Sequence, residues 1–154
     1  MENVEITTMC ALFSEDKSKL LFIDREKNWK GYAFPGGHLE EGESIHTCVI
    51  REMQEEAGVR IIDPQMVGIT HFFNTENKSS HIIFNFVADH YKGDVNLKCD
   101  EGKLVWVDIN HLDELPYAEG MEQRLDLFLN QDCKEMYVEW NDHSGYTKIE
   151  KKVV

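Results

Sequence analysis

The chain has 154 residues, of which 42% are hydrophobic and 29% are charged, and this composition suits one globular domain with a substantial core. Its 29 acidic and 16 basic residues give a formal net charge of −13, so we expect no nucleic acid polymer and no membrane as a partner. No basic segment precedes an apolar run at the N-terminus, and no apolar run could span a bilayer. We therefore expect a cytoplasmic monomer or homodimer in which residues 1–154 form a single domain.

Runs of apolar and β-branched residues predict strands along most of the chain. The predicted elements, in chain order, are strands at 4–13 and 19–23, a helix at 45–57, strands at 60–73, 81–90 and 104–107, a helical turn at 111–115, a second helix at 121–130, and a terminal hairpin or irregular tail at 136–149. Because the strands flank two helices that lie far apart in sequence, this pattern predicts an α/β sandwich with a mixed sheet.

The first predicted helix carries the clearest chemical signal. Ser44 is a suitable N-cap, and Gly58 is suited to end the helix in the left-handed conformation. One continuous stripe starts apolar and ends in three carboxylates, and its members are Ile45, Cys48, Val49, Glu52, Glu55 and Glu56. A second stripe is entirely apolar and can anchor the helix on a core; it consists of Ile50, Met53 and Ala57.

The three carboxylates repel one another, and glutamate is unfavourable near a helix C-terminus because of the helix dipole. Such a cluster is tolerable if a cation binds to it. Oxygen ligands favour a hard ion, so Mg²⁺ is the first choice and Mn²⁺ the second. Two adjacent glycines before the helix, Gly36 and Gly37, let the backbone approach a ligand closely. The alternative interpretation is a solvated acidic surface without a role.

Residues 37–59 resemble the Nudix box, which is glycine, five residues, glutamate, seven residues, then Arg-Glu-apolar-x-Glu-Glu-x-Gly-apolar. Every fixed position is matched, by Gly37, Glu43, Arg51, Glu52, Met53, Glu55, Glu56, Gly58 and Val59. The resemblance implies the Nudix fold, an α/β/α sandwich with a central mixed β-sheet. It also implies a hydrolase that cleaves a nucleoside diphosphate linked to another group, with the help of a divalent metal ion.

The resemblance assigns roles to the acidic residues of the box. Glu52 and Glu56 correspond to metal ligands, and Glu52 belongs to the catalytic group as well. Glu55 corresponds either to a ligand or to a residue that orients water, and it is a candidate, with Glu101, for the base that takes the proton. The Gly36 carbonyl often joins the metal site in this family.

Further candidates follow from resemblance to MutT-like enzymes. Glu101 stands where many of them carry a glutamate that approaches the metal or acts as the base, and Asp100 is its competitor. Arg25 could contact a phosphate, although a surface salt bridge explains it equally well. Arg51 and Glu43 are most simply a supporting salt bridge between loop and helix.

The base pocket is the least defined part of the predicted site. Phe34 and the backbone at Gly37 lie in a region that lines this pocket in 8-oxo-purine triphosphatases, although core packing also explains the aromatic residue. Asn85 and Glu119 could form hydrogen bonds with the edge of a purine. Asn85 could equally well be a hydrogen-bonded amide in the core. Several such enzymes use a tryptophan in a segment that corresponds to residues 116–121, and this chain has none there.

We expect a MutT-like diphosphatase that converts a nucleoside triphosphate to the monophosphate and pyrophosphate, with 8-oxo-dGTP as the favoured substrate. The alternatives are hydrolysis of another nucleotide, a nucleotide sugar or a dinucleoside polyphosphate. A non-catalytic domain that senses nucleotides is an alternative of a different class, but such domains commonly lose box carboxylates, and all of them are present here.

Overall fold

The computed structural model describes residues 3–130 and 132–153. Its helices are α1 (Ile45–Ala57) and α2 (Met121–Leu129), with a 3₁₀ helix at Ile109–Glu114. Its strands are β1 (Val4–Leu12), β2 (Lys19–Arg25), β3 (Gly31–Ala33), β4 (Gly36–His38), β5 (Arg60–Ile61), β6 (Gln65–Asn74), β7 (Ser79–Ala88), β8 (Tyr91–Lys92), β9 (Lys98–Cys99), β10 (Gly102–Asp108), β11 (Cys133–Asn141) and β12 (Gly145–Val153). None of the helices in these two ranges has the length and apolar character needed to cross a membrane.

The main sheet has six strands in the order β12-β11-β6-β7-β1-β4. Strand β1 runs parallel to β7, and β6 runs parallel to β11, while the other neighbouring pairs are antiparallel. The predicted mixed sheet is therefore confirmed. A second, antiparallel sheet has the order β3-β2-β10-β9, and β5 pairs with β8.

Each face of the main sheet carries one helix. Side chains along a strand alternate between the two faces, so successive residues of β1 pack against different helices. On β1, Cys10 and Leu12 pack with the α1 residues Val49 and Met53. Ala11, which lies between them, packs in a separate cluster with residues of α2 such as Leu127. The resulting arrangement is the predicted sandwich of two helices around a sheet, with two hydrophobic cores.

The C-terminal segment extends the sheet, and this resolves the choice between hairpin and tail that the sequence left open. Strands β11 and β12 form an antiparallel hairpin, and β11 adds to β6 in parallel register. Strand β11 buries Met136 and Val138 beneath α2, so this apolar pair anchors the hairpin on the core.

Candidate active site

Helix α1 has the ends that its sequence predicts. The Ser44 hydroxyl accepts a hydrogen bond from the Thr47 backbone N–H at 3.0 Å, and Gly58 ends the helix with a φ of 78°. Four buried side chains hold the helix in the core, namely Cys48, Val49, Met53 and Ala57. The acidic end of the predicted stripe is consequently fixed relative to the main sheet, with Glu52 beside Gly37 and Glu56 hydrogen-bonded to the Gly36 backbone of β4.

The two glycines of β4 allow two different close approaches, since Gly36 lets β4 pack against β1 and Gly37 leaves room for the Glu52 side chain of α1. Strand β4 pairs with β1, and a Cβ atom on Gly36 would lie 2.0 Å from the Thr8 carbonyl oxygen. A Cβ atom on Gly37 would lie 2.2 Å from the Glu52 Oε2 atom. Any larger residue at position 37 would therefore displace the Glu52 carboxylate.

Arg51 organises the outer part of the acidic cluster. Its guanidinium group donates to both carboxylate oxygens of Glu43, at 2.6 and 3.0 Å, and to the His38 carbonyl oxygen at 2.9 Å. It also donates to Glu52 at 2.8 Å and to the half-exposed Glu55 at 3.2 Å. These hydrogen bonds lower the pKa of Glu43 to about 2 and raise the pKa of Arg51. The geometry agrees with the supporting role expected for Arg51 and Glu43.

Glu56 occupies the inner part of the cluster, and its Oε2 atom is buried without a hydrogen-bond partner. Burial raises the pKa of this carboxyl to about 8, with further contributions from the charges of Glu101 and Glu52. A hydrogen bond from the Gly36 backbone and the charge of Arg25 oppose this rise. A buried carboxylate oxygen that faces other carboxylates is suited to bind a cation, because an ion would satisfy the oxygen and remove the repulsion.

The pKa of Glu52 is also raised, mainly by burial, while its hydrogen bond to Arg51 acts in the opposite direction. Within the described ranges, no three His, Cys, Asp or Glu side chains converge closely enough to hold an ion in this arrangement. Glu52 and Glu55 contact Arg51 instead, so a bound ion would compete with Arg51 for them.

The structure brings two more predicted residues to this cluster. Arg25, at the end of β2, forms an ion pair with Glu101 at 2.5 Å and donates to the Asn28 carbonyl oxygen at 3.2 Å. Glu101 lies in the turn before β10 and interacts electrostatically with Glu56. Asp100 is exposed in the same turn. The placement therefore favours Glu101 over its neighbour as the additional acidic residue of the site.

The predicted base-pocket residues are not brought to one open cavity. Phe34 is only 3% exposed, and its ring stacks on Phe22 at a centroid distance of 4.6 Å and meets the Phe128 ring at 4.7 Å. The ring is thus a core element, and the expectation that it forms a free stacking wall is corrected on this point. Glu119 is exposed in the turn before α2.

Asn85 is fully buried on β7, on the sheet face that α2 covers. Its Nδ2 group donates to the Thr70 hydroxyl at 3.1 Å, whereas its Oδ1 atom has no partner. The interpretation as a hydrogen-bonded core amide therefore explains the Nδ2 group but leaves the Oδ1 atom without a partner.

Arg124 of α2 is a buried residue that the sequence analysis missed, since α2 was read only as an amphipathic helix. The available signal is its position three residues after Met121, on the stripe that continues to Leu125 and Phe128. An arginine at an otherwise apolar position of a short helix indicates either an ion pair in the core or a binding group.

The comparisons with known proteins agree with this geometry. The sequence profile of the NUDIX domain matches residues 5–128. The uncharacterized Nudix hydrolase YvcI from Bacillus subtilis is 39% identical over 132 residues, which cover 84% of this chain and 82% of that protein. A MutT protein from Bacillus halodurans has a similar structure, with a TM-score of 0.82 and 25% identity over 96% of this chain and 97% of that one.

Two further relatives are named for different substrates. An ADP-ribose pyrophosphatase from Methanocaldococcus jannaschii is 30% identical over 105 residues, or 67% of this chain and 62% of that protein. An oxidized purine nucleoside triphosphate hydrolase from Danio rerio is 32% identical over 94 residues, or 59% of this chain and 54% of that protein. The chain spans less than two thirds of the length of each of these two relatives. Their sequence identities to this chain are similar although they are named for different substrates, so identity does not select a substrate.

The raised pKa of Glu56 predicts how the metal-free protein responds to pH. Between the ordinary glutamate pKa and about 8, the folded protein binds more protons than the unfolded chain, so its stability falls as the pH rises. Glu56→Gln removes this penalty. In EDTA, we expect the free energy of unfolding of the variant, relative to that of the parent protein, to increase by on the order of 3 kcal/mol as the pH rises from about 5 to about 9.

Urea unfolding at the two pH values measures this difference, and Glu41→Gln, which changes an exposed glutamate in the loop before α1, is the matched control. Adding Mg²⁺ should then stabilise the parent protein more than the Glu56→Gln variant. A gap between parent and variant that stays constant with pH would show that Glu56 is not a buried, repelled carboxylate.

Proposed function

The chain belongs to the Nudix family of hydrolases, and we propose that it is a metal-dependent diphosphatase that converts a nucleoside triphosphate to the monophosphate and pyrophosphate. The observation that carries this proposal is the unpartnered, buried oxygen of Glu56 beside Glu52 and Glu101. A chain with a formal net charge of −13 binds a polyphosphate only where local cations neutralise it. Arg25 is one local cation near this cluster, and a divalent ion bound by Glu56 would be a second one.

In this proposal Glu52 and Glu56 hold Mg²⁺ or Mn²⁺, with Glu55, Glu101 and the Gly36 carbonyl as further ligands. When bound, the ion neutralises phosphate charge and lowers the pKa of the attacking water. Arg51 keeps the Glu52 carboxylate beside Gly37, where the missing Cβ leaves room for it.

Two residues outside the helix complete the proposed site. In this proposal Arg25 binds a phosphate oxygen through its planar donor group, and its ion pair with Glu101 holds that carboxylate in place. Glu101, or alternatively Glu55, takes the proton from the attacking water. Glu101 interacts with Glu56 across the site, whereas Glu55 is 57% exposed and contacts Arg51, so we favour Glu101 as the base.

For the substrate class we propose an oxidised purine nucleoside triphosphate such as 8-oxo-dGTP. This choice rests on the MutT-like resemblance and on the relative that acts on oxidised purine nucleoside triphosphates. The relative named as an ADP-ribose pyrophosphatase makes ADP-ribose the second candidate. Both contain a phosphoanhydride, so the acidic cluster serves either, and the base-binding residues decide between them.

A nucleotide panel tests the proposal. With Mg²⁺, we expect kcat/KM for 8-oxo-dGTP to exceed that for dGTP and dCTP by at least about tenfold, because only contacts to the altered base edge distinguish 8-oxo-dGTP from dGTP. Pyrophosphate release measures turnover of the triphosphates, and chromatography measures cleavage of ADP-ribose. EDTA is the control and should abolish both reactions.

Each of the other outcomes of the panel has a separate meaning. Equal kcat/KM for the three triphosphates would reject the oxidised-purine assignment and leave a general nucleotide diphosphatase. Faster cleavage of ADP-ribose would select the second candidate. No turnover of any compound with Mg²⁺ or Mn²⁺ would contradict the proposed activity itself.

The role of Glu101 predicts a ranking of two neighbouring variants. Glu101→Gln should lower kcat by about a hundredfold with a smaller change in KM, because it removes either a base or a ligand. Asp100→Asn is the matched control in the same turn and should stay within about twofold of the parent protein, since an exposed side chain contributes little. The reverse ranking would assign the role to Asp100.

A further inference from the structure

Strand β12 forms a long, open edge of the main sheet. In the part of the chain that the structure describes, β12 pairs with β11 on one side and with no strand on the other. None of its nine residues is buried, and most of them are exposed. The outer side of such a strand presents unpaired backbone N–H and C=O groups, which the edge strand of another molecule can join.

The side chains of β12 divide between the two faces of the sheet. Residues 148–152 pair with β11 without a bulge, so their side chains alternate. Lys151 forms an ion pair with Asp126 of α2 at 2.9 Å, which places Lys151 and Ile149 on the face that α2 covers. The opposite face carries three charged side chains, namely Lys148, Glu150 and Lys152. The glutamate in this row pairs with the two lysines at 3.0 and 3.3 Å.

The symmetry of a dimer limits how two copies of this edge can pair. Two β12 strands that pair antiparallel are related by a two-fold axis normal to the sheet, so both copies carry α2 on the same side. Opposed residues then lie on the same face, and one residue of β12 lies at the axis opposite itself. The position of that residue defines the register.

A register with Ile149 at the axis suits both faces of the sheet. Ile149 is the middle residue of β12 (Gly145–Val153), so this register spans the whole strand. On one face the two Ile149 side chains meet, and each is 43% exposed in the single chain. On the other face Lys148 of each copy lies opposite Glu150 of the other copy, which forms two cross-strand ion pairs.

The neighbouring registers oppose like charges. An axis at Lys148 places two lysines against each other, and an axis at Glu150 places two glutamates against each other. An axis at Lys151 again opposes two lysines, and it pairs only part of the strand. Charges on an open edge discourage unspecific pairing, and the order of the charges on β12 leaves the Ile149 register favourable.

The position of β12 also suits self-association. Two copies with a formal net charge of −13 each repel one another, but β12 has three lysines and one glutamate, so the repulsion at this edge is smaller than the net charge suggests. The strand lies at the opposite end of the main sheet from β4, which borders the acidic cluster. Pairing through β12 therefore leaves that cluster open in both copies.

We propose that β12 is the interface of a homodimer, in which two copies of this chain pair antiparallel with Ile149 at the two-fold axis. The two six-stranded sheets then form one continuous sheet. Because each copy contributes a single edge strand, the interface is small and the dimer is weak and reversible. The inference is independent of the proposed hydrolase activity.

Cross-linking at the axis tests the register. Ile149→Cys places two thiols on the same face with their Cα atoms about 4.5–5.5 Å apart, a distance that a disulfide spans. Mild oxidation should convert at least about half of this variant into a covalent dimer. Lys148→Cys is the matched control and should stay monomeric, since its two copies are diagonal neighbours about 7–8 Å apart. Both variants carry Cys99→Ser, because the other three native cysteines are buried.

Charge reversal tests the cross-strand ion pairs in solution. Lys148→Glu should raise the dissociation constant of the dimer by about tenfold, because it opposes like charges at two symmetry-related positions. The double variant with Lys148→Glu and Glu150→Lys restores both pairs in reversed order and should recover the parental constant. Lys92→Glu makes the same change at an exposed position of β8 and should have no effect. Sedimentation equilibrium between about 5 and about 500 µM measures the four constants.

Two results would overturn the inference. One is a parent protein that stays monomeric over this concentration range while Ile149→Cys yields no more covalent dimer than Lys148→Cys. The other is a dimer whose dissociation constant is the same in the parent protein and in Lys148→Glu, which would place the interface elsewhere. Circular dichroism shows that each variant is folded. The nucleotide panel decides the hydrolase activity separately, and the cross-linked dimer should keep the parental turnover per chain.

Discussion

The structure depends on one unfavourable interaction, which is the burial of the Glu56 carboxylate next to other carboxylates. An unpartnered carboxyl oxygen at this position costs free energy that a bound cation would recover. The surrounding elements hold this carboxyl group in place. The caps of α1 set its ends, its apolar residues pack it on the core, and the missing Cβ of Gly37 leaves room for the Glu52 carboxylate at the sheet edge.

Two arginines divide the acidic cluster into an outer and an inner part. Arg51 binds Glu43, Glu52 and Glu55 in the outer part, where its donors compensate the carboxylates that lie nearest the loop. Arg25 pairs with Glu101 on the opposite side and opposes the raised pKa of Glu56 only weakly. The inner carboxylate consequently remains without a neutralising partner, and a divalent cation is the simplest group that could provide one.

Local sequence was sufficient to predict the parts of the site that lie on one element. The ends of α1, the acidic stripe and the Arg51–Glu43 salt bridge depend on spacing along a single helix and its preceding loop. Residues whose environment depends on tertiary contacts were harder to predict.

The sequence did not show that Phe34 is covered by Phe22 and Phe128, or that Arg124 lies buried beside Met9, because α2 and the partners of these residues come from distant parts of the chain. The parallel addition of β11 to β6 was not visible for the same reason. The available signals were the position of Asn85 inside an apolar run and the position of Arg124 on the apolar stripe of α2. Their partners became visible only in the fold, where Asn85 donates to Thr70 and Arg124 contacts Met9.

The most direct test of this account is the anomalous difference density of crystals grown with Mn²⁺. The account predicts a manganese peak within coordination distance of the Glu56 carboxylate, with Glu52 as a second ligand. Glu56→Gln crystals from the same conditions should lose that peak. A parent structure with no manganese peak at this position would contradict the claim that the buried Glu56 carboxyl group binds a cation.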